Sequence, residues 1–109
     1  GQSLAKRLQQ CDSLSWQESL KIAMQIALGL SHMHGQGVTH RDLKPENIML
    51  SLYEEGKLSV KLLDLGLAKA CFESGAAVYD LTNTGLLVGT PHYMSPEQCQ
   101  GKAAQPRSD

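Results

Sequence analysis

The sequence lacks the features that mark membrane-spanning, exported and nucleic-acid-binding chains. None of its apolar runs approaches the roughly 18 residues that cross a bilayer, and no basic-then-apolar leader opens it. Its formal net charge of −1 gives no reason to expect a nucleic acid or an anionic membrane as a partner. The remaining composition, 41% hydrophobic and 19% charged over 109 residues, is typical of an ordinary soluble globular chain.

Cysteine is scarce as well. Cys11, Cys71 and Cys99 show no CxxC spacing, so neither a disulfide framework nor a zinc ribbon is implied. We therefore expect reduced thiols and a cytoplasmic location, with any membrane anchor of the parent protein lying outside this chain. A metal site that combines His32, His34 and a cysteine is the alternative. These histidines are two residues apart at a predicted helix end, so their side chains point in different directions.

Two helices are predicted in the first third of the chain. The first runs over residues 3–10, with Ser3 as its cap. The second begins at Ser15, where Ser15 and Glu18 fit a capping box, and ends at the glycines that follow residue 34. Apolar residues occupy most of the circumference of this second helix, so we expect it to be buried on several sides.

Residues 48–50 and 58–63 are predicted to form two short strands, joined by a polar turn over 51–57. Residues 64–97 show neither a helical nor a strand period, which in a compact domain is typical of a functional segment. The chain opens on Gly1 instead of Met and stops at Asp109. Both ends look cut, and we expect a piece of a longer domain.

Four side chains between positions 42 and 64 can support phosphoryl transfer. That reaction needs a carboxylate to orient a hydroxyl, oxygen ligands for Mg²⁺ and a cation beside the transferred group. Asp42, Lys44, Asn47 and Asp64 supply these groups in one order along the chain. A loop between short strands is also a rigid place to hold them.

Three motifs in this region resemble those of protein kinases. His-Arg-Asp-Leu-Lys-Pro-Glu-Asn at 40–47 matches the catalytic-loop signature, and Asp-Leu-Gly at 64–66 resembles the metal-binding motif, with Leu65 in place of the usual Phe. Residues 89–98 resemble the end of an activation segment. The Pro-Glu-Gln ending and the opening Gly-Gln-Ser-Leu at 1–4 are most similar to eukaryotic-like serine/threonine kinases of bacteria.

The resemblance implies a fold and a domain. The fold is α+β, mainly α, and the chain is a fragment of the large C-terminal lobe of a protein-kinase-like fold. Residues 1–109 are then a partial protein kinase domain, from the post-hinge helix through the catalytic loop, the metal-binding motif and the activation segment. The glycine-rich loop, the ATP-binding lysine and its glutamate partner are missing from this piece.

The resemblance also implies the catalytic roles. Asp42 is the catalytic base, and Lys44 lies against the γ-phosphate of ATP. Thr90 bridges these two residues, which together with Lys44 favours serine and threonine as substrates. Asn47 and Asp64 bind Mg²⁺.

Further roles follow from the same resemblance. Met49 forms the floor of the adenine pocket. Arg41 pairs with a phosphate on the activation segment, where Thr82 and Thr84 are the candidate phosphorylation sites. Asp109 resembles the buried aspartate that anchors the backbone of the catalytic loop.

Histidine and glutamate side chains are expected to be structural or solvated. His40 is predicted to pack in the core and hold the loop, whereas His34 and His92 are predicted to be solvated. Glu97 is expected to serve structure more than catalysis.

We thus expect a parent protein that transfers the γ-phosphate of ATP, with Mg²⁺, to serine or threonine hydroxyls of protein substrates. No nucleic-acid partner and no membrane segment are expected within the chain. The alternative is a pseudokinase that acts as a scaffold or a regulatory binding module. Because half of the constellation is missing, the fragment alone is expected to be inactive.

Overall fold

A computed structural model describes residues 1–52, 57–64 and 91–109 of the chain. Strand β1 (Gln2–Ser3) leads directly into helix α1 (Leu4–Gln9), which is followed by the long helix α2 (Trp16–Gly35). Strands β2 (Ile48–Leu52) and β3 (Leu58–Leu62) come next, and the short helix α3 (Pro96–Cys99) follows later. Single 3-10 turns occupy Pro45–Asn47, Pro91–Tyr93 and Pro106–Ser108. The described residues thus combine helices with a small sheet.

The two predicted helices begin at the serines that the sequence indicated. The hydroxyl of Ser3 accepts a hydrogen bond from the backbone N–H of Lys6, and Ser15 accepts one from that of Glu18, each at 3.2 Å. These contacts satisfy backbone donors that have no partner inside the helix. Only half of the predicted capping box at Ser15 forms, because the carboxylate of Glu18 turns to Arg7 instead.

Arg7 and Glu18 join α1 to α2. The guanidinium Nε lies 3.2 Å from one carboxylate oxygen and Nη2 lies 3.3 Å from the other, which is a bidentate pair. This hydrogen bonding and the charge of Glu18 raise the pKa of Arg7 above its ordinary value. The pair therefore adds a side-chain contact between the short helix and the long one.

A glycine in the left-handed conformation terminates helix α2. Gly37 has a φ of 74°, in the left-handed region that suits glycine, and its N–H donates to the carbonyl of His34. The N–H of Val38 donates to the carbonyl of Met33 at 2.9 Å. The predicted end of the helix is confirmed, and the chain continues from there to residues 40–47.

The three strands form one antiparallel sheet in the order β1-β2-β3. Ser3 pairs with Met49, and the β2–β3 ladder runs from Ile48 opposite Leu62 to Leu52 opposite Leu58. Both predicted strands are therefore confirmed, each within two residues of its expected end.

The core lies between α1, α2 and one face of the sheet. Its buried apolar residues are Leu4, Ile22, Ile48 and Leu50. A second apolar row of α2, made of Trp16, Leu20, Met24 and Leu28, is exposed, with Trp16 71% and Leu28 68% accessible. Within the described ranges the expected burial of α2 on several sides is thus not found, because the sheet packs against the face that carries Ile22.

The amide of Gln25 pairs with the outer edge of β3. Its nitrogen donates to the carbonyl of Leu58 and its oxygen accepts from the N–H of Val60, both at 3.0 Å. These two backbone groups point away from β2 and would otherwise lack a partner within the sheet. The helix approaches closely at this point, since a Cβ on Gly29 would meet the side chain of Leu62 at 3.3 Å.

No helix in the described ranges is long and apolar enough to cross a membrane. Two of the three cysteines, Cys11 and Cys99, are free thiols, and Cys71 lies outside the described residues.

Candidate active site

The carboxylate of Asp109 anchors the loop that follows α2. Its side chain is only 1% exposed, and one oxygen accepts from the backbone N–H of His40 at 2.7 Å and from Nε2 of His34 at 2.8 Å. The other oxygen accepts from the N–H of Arg41 at 2.7 Å. The anchoring predicted for Asp109 is confirmed. The prediction of a solvated His34 is wrong, because this residue supplies the third donor to a buried carboxylate.

His40 connects the loop to the end of β3. It is fully buried, its Nε2 donates to the carbonyl of Leu63 at 2.9 Å, and its Nδ1 accepts from the N–H of Asp42 at 3.4 Å. These contacts require the tautomer that carries its proton on Nε2. The structural role predicted for His40 is confirmed, while His92 is exposed, as predicted.

Asp42, Lys44 and Asn47 come together in one cluster. The ammonium of Lys44 lies 2.9 Å from Oδ2 of Asp42, and the amide nitrogen of Asn47 donates to the same oxygen at 3.0 Å. Asn47 also donates to the backbone carbonyl of Asp42 at 2.8 Å. Because Asn47 is buried and held by two contacts, it fixes the orientation of the Asp42 carboxylate.

Asp64 follows β3 at a point that is tied to the same loop. The N–H of Leu63 donates to the carbonyl of Asn47 at 2.8 Å, and the carbonyl of Leu63 is held by His40. Asp64 itself has a φ of 52°, a conformation that is uncommon for a residue other than glycine. The loop therefore sets the position from which the Asp64 side chain leaves the strand.

The donor chemistry of Asn47 and Asp64 fits a magnesium ion. Because the amide nitrogen of Asn47 is directed at Asp42, its oxygen is the atom that could act as a ligand. Asp64 adds a carboxylate, and Mg²⁺ prefers such hard oxygen donors, completed by water and phosphate oxygens. No group of three His, Cys, Asp or Glu side chains that could hold a metal ion occurs in the part of the chain that the structure describes.

Some of the remaining predicted site residues lie within the described ranges and others lie outside them. Met49 is half-buried in the middle of β2, between the buried Ile48 and Leu50, which alternation in a strand places on the opposite face. Three predicted residues lie outside the described residues, namely Thr82, Thr84 and Thr90.

Helix α3 was not predicted, and its Gln98 contacts the loop at 40–47. Ser95 and Gln98 form a capping box at its start, and the amide nitrogen of Gln98 donates to the carbonyl of Arg41 at 2.8 Å. The Ser-x-x-Gln spacing with proline at the first helical position is the sequence signal for this helix. No local signal indicates the partner of Gln98 or that of His34, because both contacts join residues far apart in the chain.

Glu97 joins α3 to the turn that carries Asp109. Its carboxylate accepts a hydrogen bond from the hydroxyl of Ser108, and this contact lowers the pKa of Glu97. The backbone carbonyl of Glu97 accepts from the N–H of Lys102 at 2.9 Å. These contacts give Glu97 a structural role, as expected.

Replacing His34 by leucine should weaken the anchor. His34→Leu removes one donor from the buried Asp109 carboxylate, and we expect the free energy of unfolding of the domain to fall by about 1–3 kcal/mol. His34→Gln keeps an N–H donor at a similar distance from the backbone and should retain most of that stability. Denaturant unfolding of the purified parent protein measures both variants.

His32→Leu is the matched control, because His32 is exposed and its partner Gln36 is exposed as well. Its effect should be within about 0.5 kcal/mol of zero. Equal losses in His34→Leu and His32→Leu would contradict the anchoring role.

Comparisons with known proteins identify the family of the chain. A family model described as the protein kinase domain matches residues 1–109. The chain is 43% identical over 109 residues to the serine/threonine-protein kinase drp72 of Corynebacterium efficiens, covering all of this chain and 19% of that protein. It is 43% identical over 111 residues to the serine/threonine-protein kinase pkn3 of Myxococcus xanthus, again covering all of this chain and 20% of the relative.

A third relative is the serine/threonine-protein kinase PknD of Mycobacterium tuberculosis, 39% identical over 109 residues, which are all of this chain and 15% of that protein. The chain thus spans about a fifth or less of the length of these relatives. The family match and these identities show that the chain belongs to the protein kinase domain family, in a branch shared with bacterial serine/threonine-protein kinases.

Proposed function

We propose that the parent protein transfers the γ-phosphate of ATP to serine and threonine hydroxyls of protein substrates. Within it, residues 1–109 are the part of the large C-terminal lobe that runs from the post-hinge helix through the activation segment. The observation that carries this proposal is the Asp42 carboxylate, held at 2.9 Å by the ammonium of Lys44 and at 3.0 Å by the amide of Asn47.

Asp42 is proposed as the catalytic base. A base must lie within hydrogen-bond reach of the hydroxyl and keep one orientation while the proton moves. The two contacts from Asn47, to the carbonyl and to the carboxylate of Asp42, favour one rotamer of that side chain. In this role Asp42 orients the substrate hydroxyl and accepts its proton as the oxygen attacks the phosphorus.

Lys44 is proposed to serve both Asp42 and the nucleotide. Its ammonium has three donors, so that it can keep its contact with Asp42 while it donates to a γ-phosphate oxygen. A positive charge at this place neutralises charge that is spread over the transferred group. Lys44, together with Thr90 as a bridge between it and Asp42, is the basis for proposing serine and threonine as the acceptors.

Asn47 and Asp64 are proposed to hold Mg²⁺ on the phosphates. The ion supplies charge neutralisation at the β- and γ-phosphate oxygens. The chain contributes a buried amide and a strand-end carboxylate whose backbones are joined through Leu63. Met49 is proposed as the floor of the adenine pocket, since its half-buried side chain leaves the strand on the face opposite the core. The cytoplasmic location stays a prediction.

Arg41, Thr82 and Thr84 are proposed as the regulatory residues. A planar guanidinium grips phosphate oxygens with two parallel hydrogen bonds, so a phosphothreonine on the activation segment would pair with Arg41. We expect phosphate on one or both threonines in the active full-length protein. Peptide mass spectrometry that finds both threonines bare in fully active protein would contradict this role.

The catalytic assignment is tested by Asp42→Asn in the full-length protein. Asparagine keeps the shape of the side chain but cannot accept the proton, so kcat should fall by at least about 100-fold. Transfer of radiolabelled phosphate from ATP to a serine-containing protein substrate measures this.

Asp12→Asn removes the same charge from an exposed loop and should leave kcat unchanged. An active wild-type protein whose Asp42→Asn variant remains equally active would refute the assignment. A wild-type protein without any transfer activity would instead support the pseudokinase alternative.

The isolated chain is expected to be inactive. Residues 1–109 contain neither the glycine-rich loop nor the strand lysine that hold the nucleotide phosphates in the family, and catalysis by positioning requires the whole constellation. Titration of the fragment with Mg-ATP in a calorimeter should give no micromolar binding. The full-length protein, titrated in the same buffer, should bind and serves as the control.

A further inference from the structure

The peptide unit between Arg41 and Asp42 is held at both of its polar atoms. Its carbonyl oxygen, which belongs to Arg41, accepts from the amide nitrogen of Gln98 at 2.8 Å. Its N–H, which belongs to Asp42, donates to Nδ1 of His40 at 3.4 Å. Because a peptide unit is planar, these two contacts together fix the plane from which the Asp42 side chain departs.

The backbone conformation of Arg41 is one that such contacts must stabilise. Its φ of 68° lies in the left-handed region, which is unfavourable for a residue with a Cβ atom. Asp109 holds the N–H of Arg41 and Gln98 holds its carbonyl. A strained conformation of this kind persists only where the surroundings determine it from more than one side.

We propose that Gln98 is a positioning residue for the phosphoryl transfer assigned to Asp42. It acts through the Arg41–Asp42 peptide unit and touches neither substrate nor nucleotide. The proposal rests on the proposed function, since a positioning role requires that Asp42 be catalytic.

The hydrogen bonds of Gln98 leave no choice in how its amide is oriented. Its oxygen accepts from the backbone N–H of Ser95 at 3.0 Å and from the Ser95 hydroxyl at 3.1 Å. Only an oxygen can accept from that N–H, so the atom that faces the carbonyl of Arg41 is the NH₂ group. Gln98 thus has two separable functions, one to cap α3 and one to hold the loop.

A second connection runs in parallel from the same helix. Glu97 binds the hydroxyl of Ser108, and Ser108 precedes the Asp109 that holds the other side of Arg41. The geometry of the catalytic loop is therefore linked to the docked position of α3 by neighbouring residues of that helix. A displacement of α3 would withdraw the donor to the Arg41 carbonyl and relax the loop.

The test uses Gln98→Glu in the full-length protein. Glutamate has the same size and still accepts from Ser95, but it presents an oxygen instead of a donor to the Arg41 carbonyl. We expect kcat to fall by about 10- to 100-fold, which is the range for a small misplacement of a reacting group. The KM values for ATP and for the protein substrate should stay within about twofold, because Gln98 contacts neither ligand.

Two further variants separate positioning from folding. Gln100→Glu introduces the same charge two residues away on an exposed side chain and should leave kcat unchanged. Ser95→Ala weakens the cap of α3 but keeps the donor to Arg41, so it should lower the melting temperature while kcat stays within about twofold. Gln98→Glu is expected to lower the melting temperature as well, because a carboxylate oxygen then faces the Arg41 carbonyl, but of the two variants it alone should lower kcat by more than twofold.

The outcomes are distinguishable. Equal kcat values for Gln98→Glu and Gln100→Glu would overturn the proposal, as would a kcat loss in Ser95→Ala as large as that in Gln98→Glu. If Gln98→Glu fails to fold, Gln98→Met removes the donor without a charge, and Ser95→Ala then serves as its control for the lost cap. Loss of activity in Asp42→Asn establishes the proposed function independently. If that function fails, hydrogen exchange at the Asp42 amide, compared between the wild-type protein and Gln98→Glu, still shows whether Gln98 holds the loop. An unchanged exchange rate in the variant refutes the contact.

Discussion

Three hydrogen-bond donors converge on the carboxylate of Asp109, and the geometry of the proposed active site depends on them. A carboxylate removed from water is costly unless its oxygens are satisfied, so the donors and the acceptor constrain one another. Two of the donors are consecutive backbone N–H groups of the catalytic loop, and the third is His34 at the end of α2. The side chain of Asp109 thus contacts a helix end and a loop that lie about 70 positions earlier in the sequence.

The loop held in this way carries strain where the proposed chemistry requires accuracy. Arg41 and Asp64 are the described residues other than glycine with positive φ angles; Arg41 precedes the proposed base Asp42, and Asp64 is itself a proposed metal ligand. The side chain of His40 and the backbone of Asn47 each connect the loop to Leu63, so that the two strained positions are joined by hydrogen bonds to one residue. The functional side chains then project from a framework that has little freedom to adjust.

Much of this could be predicted from local sequence. The serine caps of both helices, the glycine end of α2 and the two strands depend on neighbouring residues, and the structure confirms them. The match of Asp42, Lys44 and Asn47 to a known motif predicted that these residues belong to one site, and the structure brings them into contact.

What escaped prediction depends on contacts between distant segments. Glu18 fits a capping box locally, yet Arg7 from another helix is the stronger partner. The local sequence predicts a solvated His34 at a helix end, whereas the structure shows it in contact with the distant Asp109. The apolar row of α2 that was expected to be buried is exposed, because among the described residues the sheet packs against another face of the helix.

The amide of Gln25 has one more consequence, for the behaviour of the sheet in a crowded solution. An outer strand with unpaired backbone groups is a template onto which a strand of another molecule can add. Where the amide occupies the N–H of Val60 and the carbonyl of Leu58, an incoming strand finds neither donor nor acceptor. A single glutamine on a helix therefore makes the middle of strand 58–62 a poorer template for an intermolecular sheet.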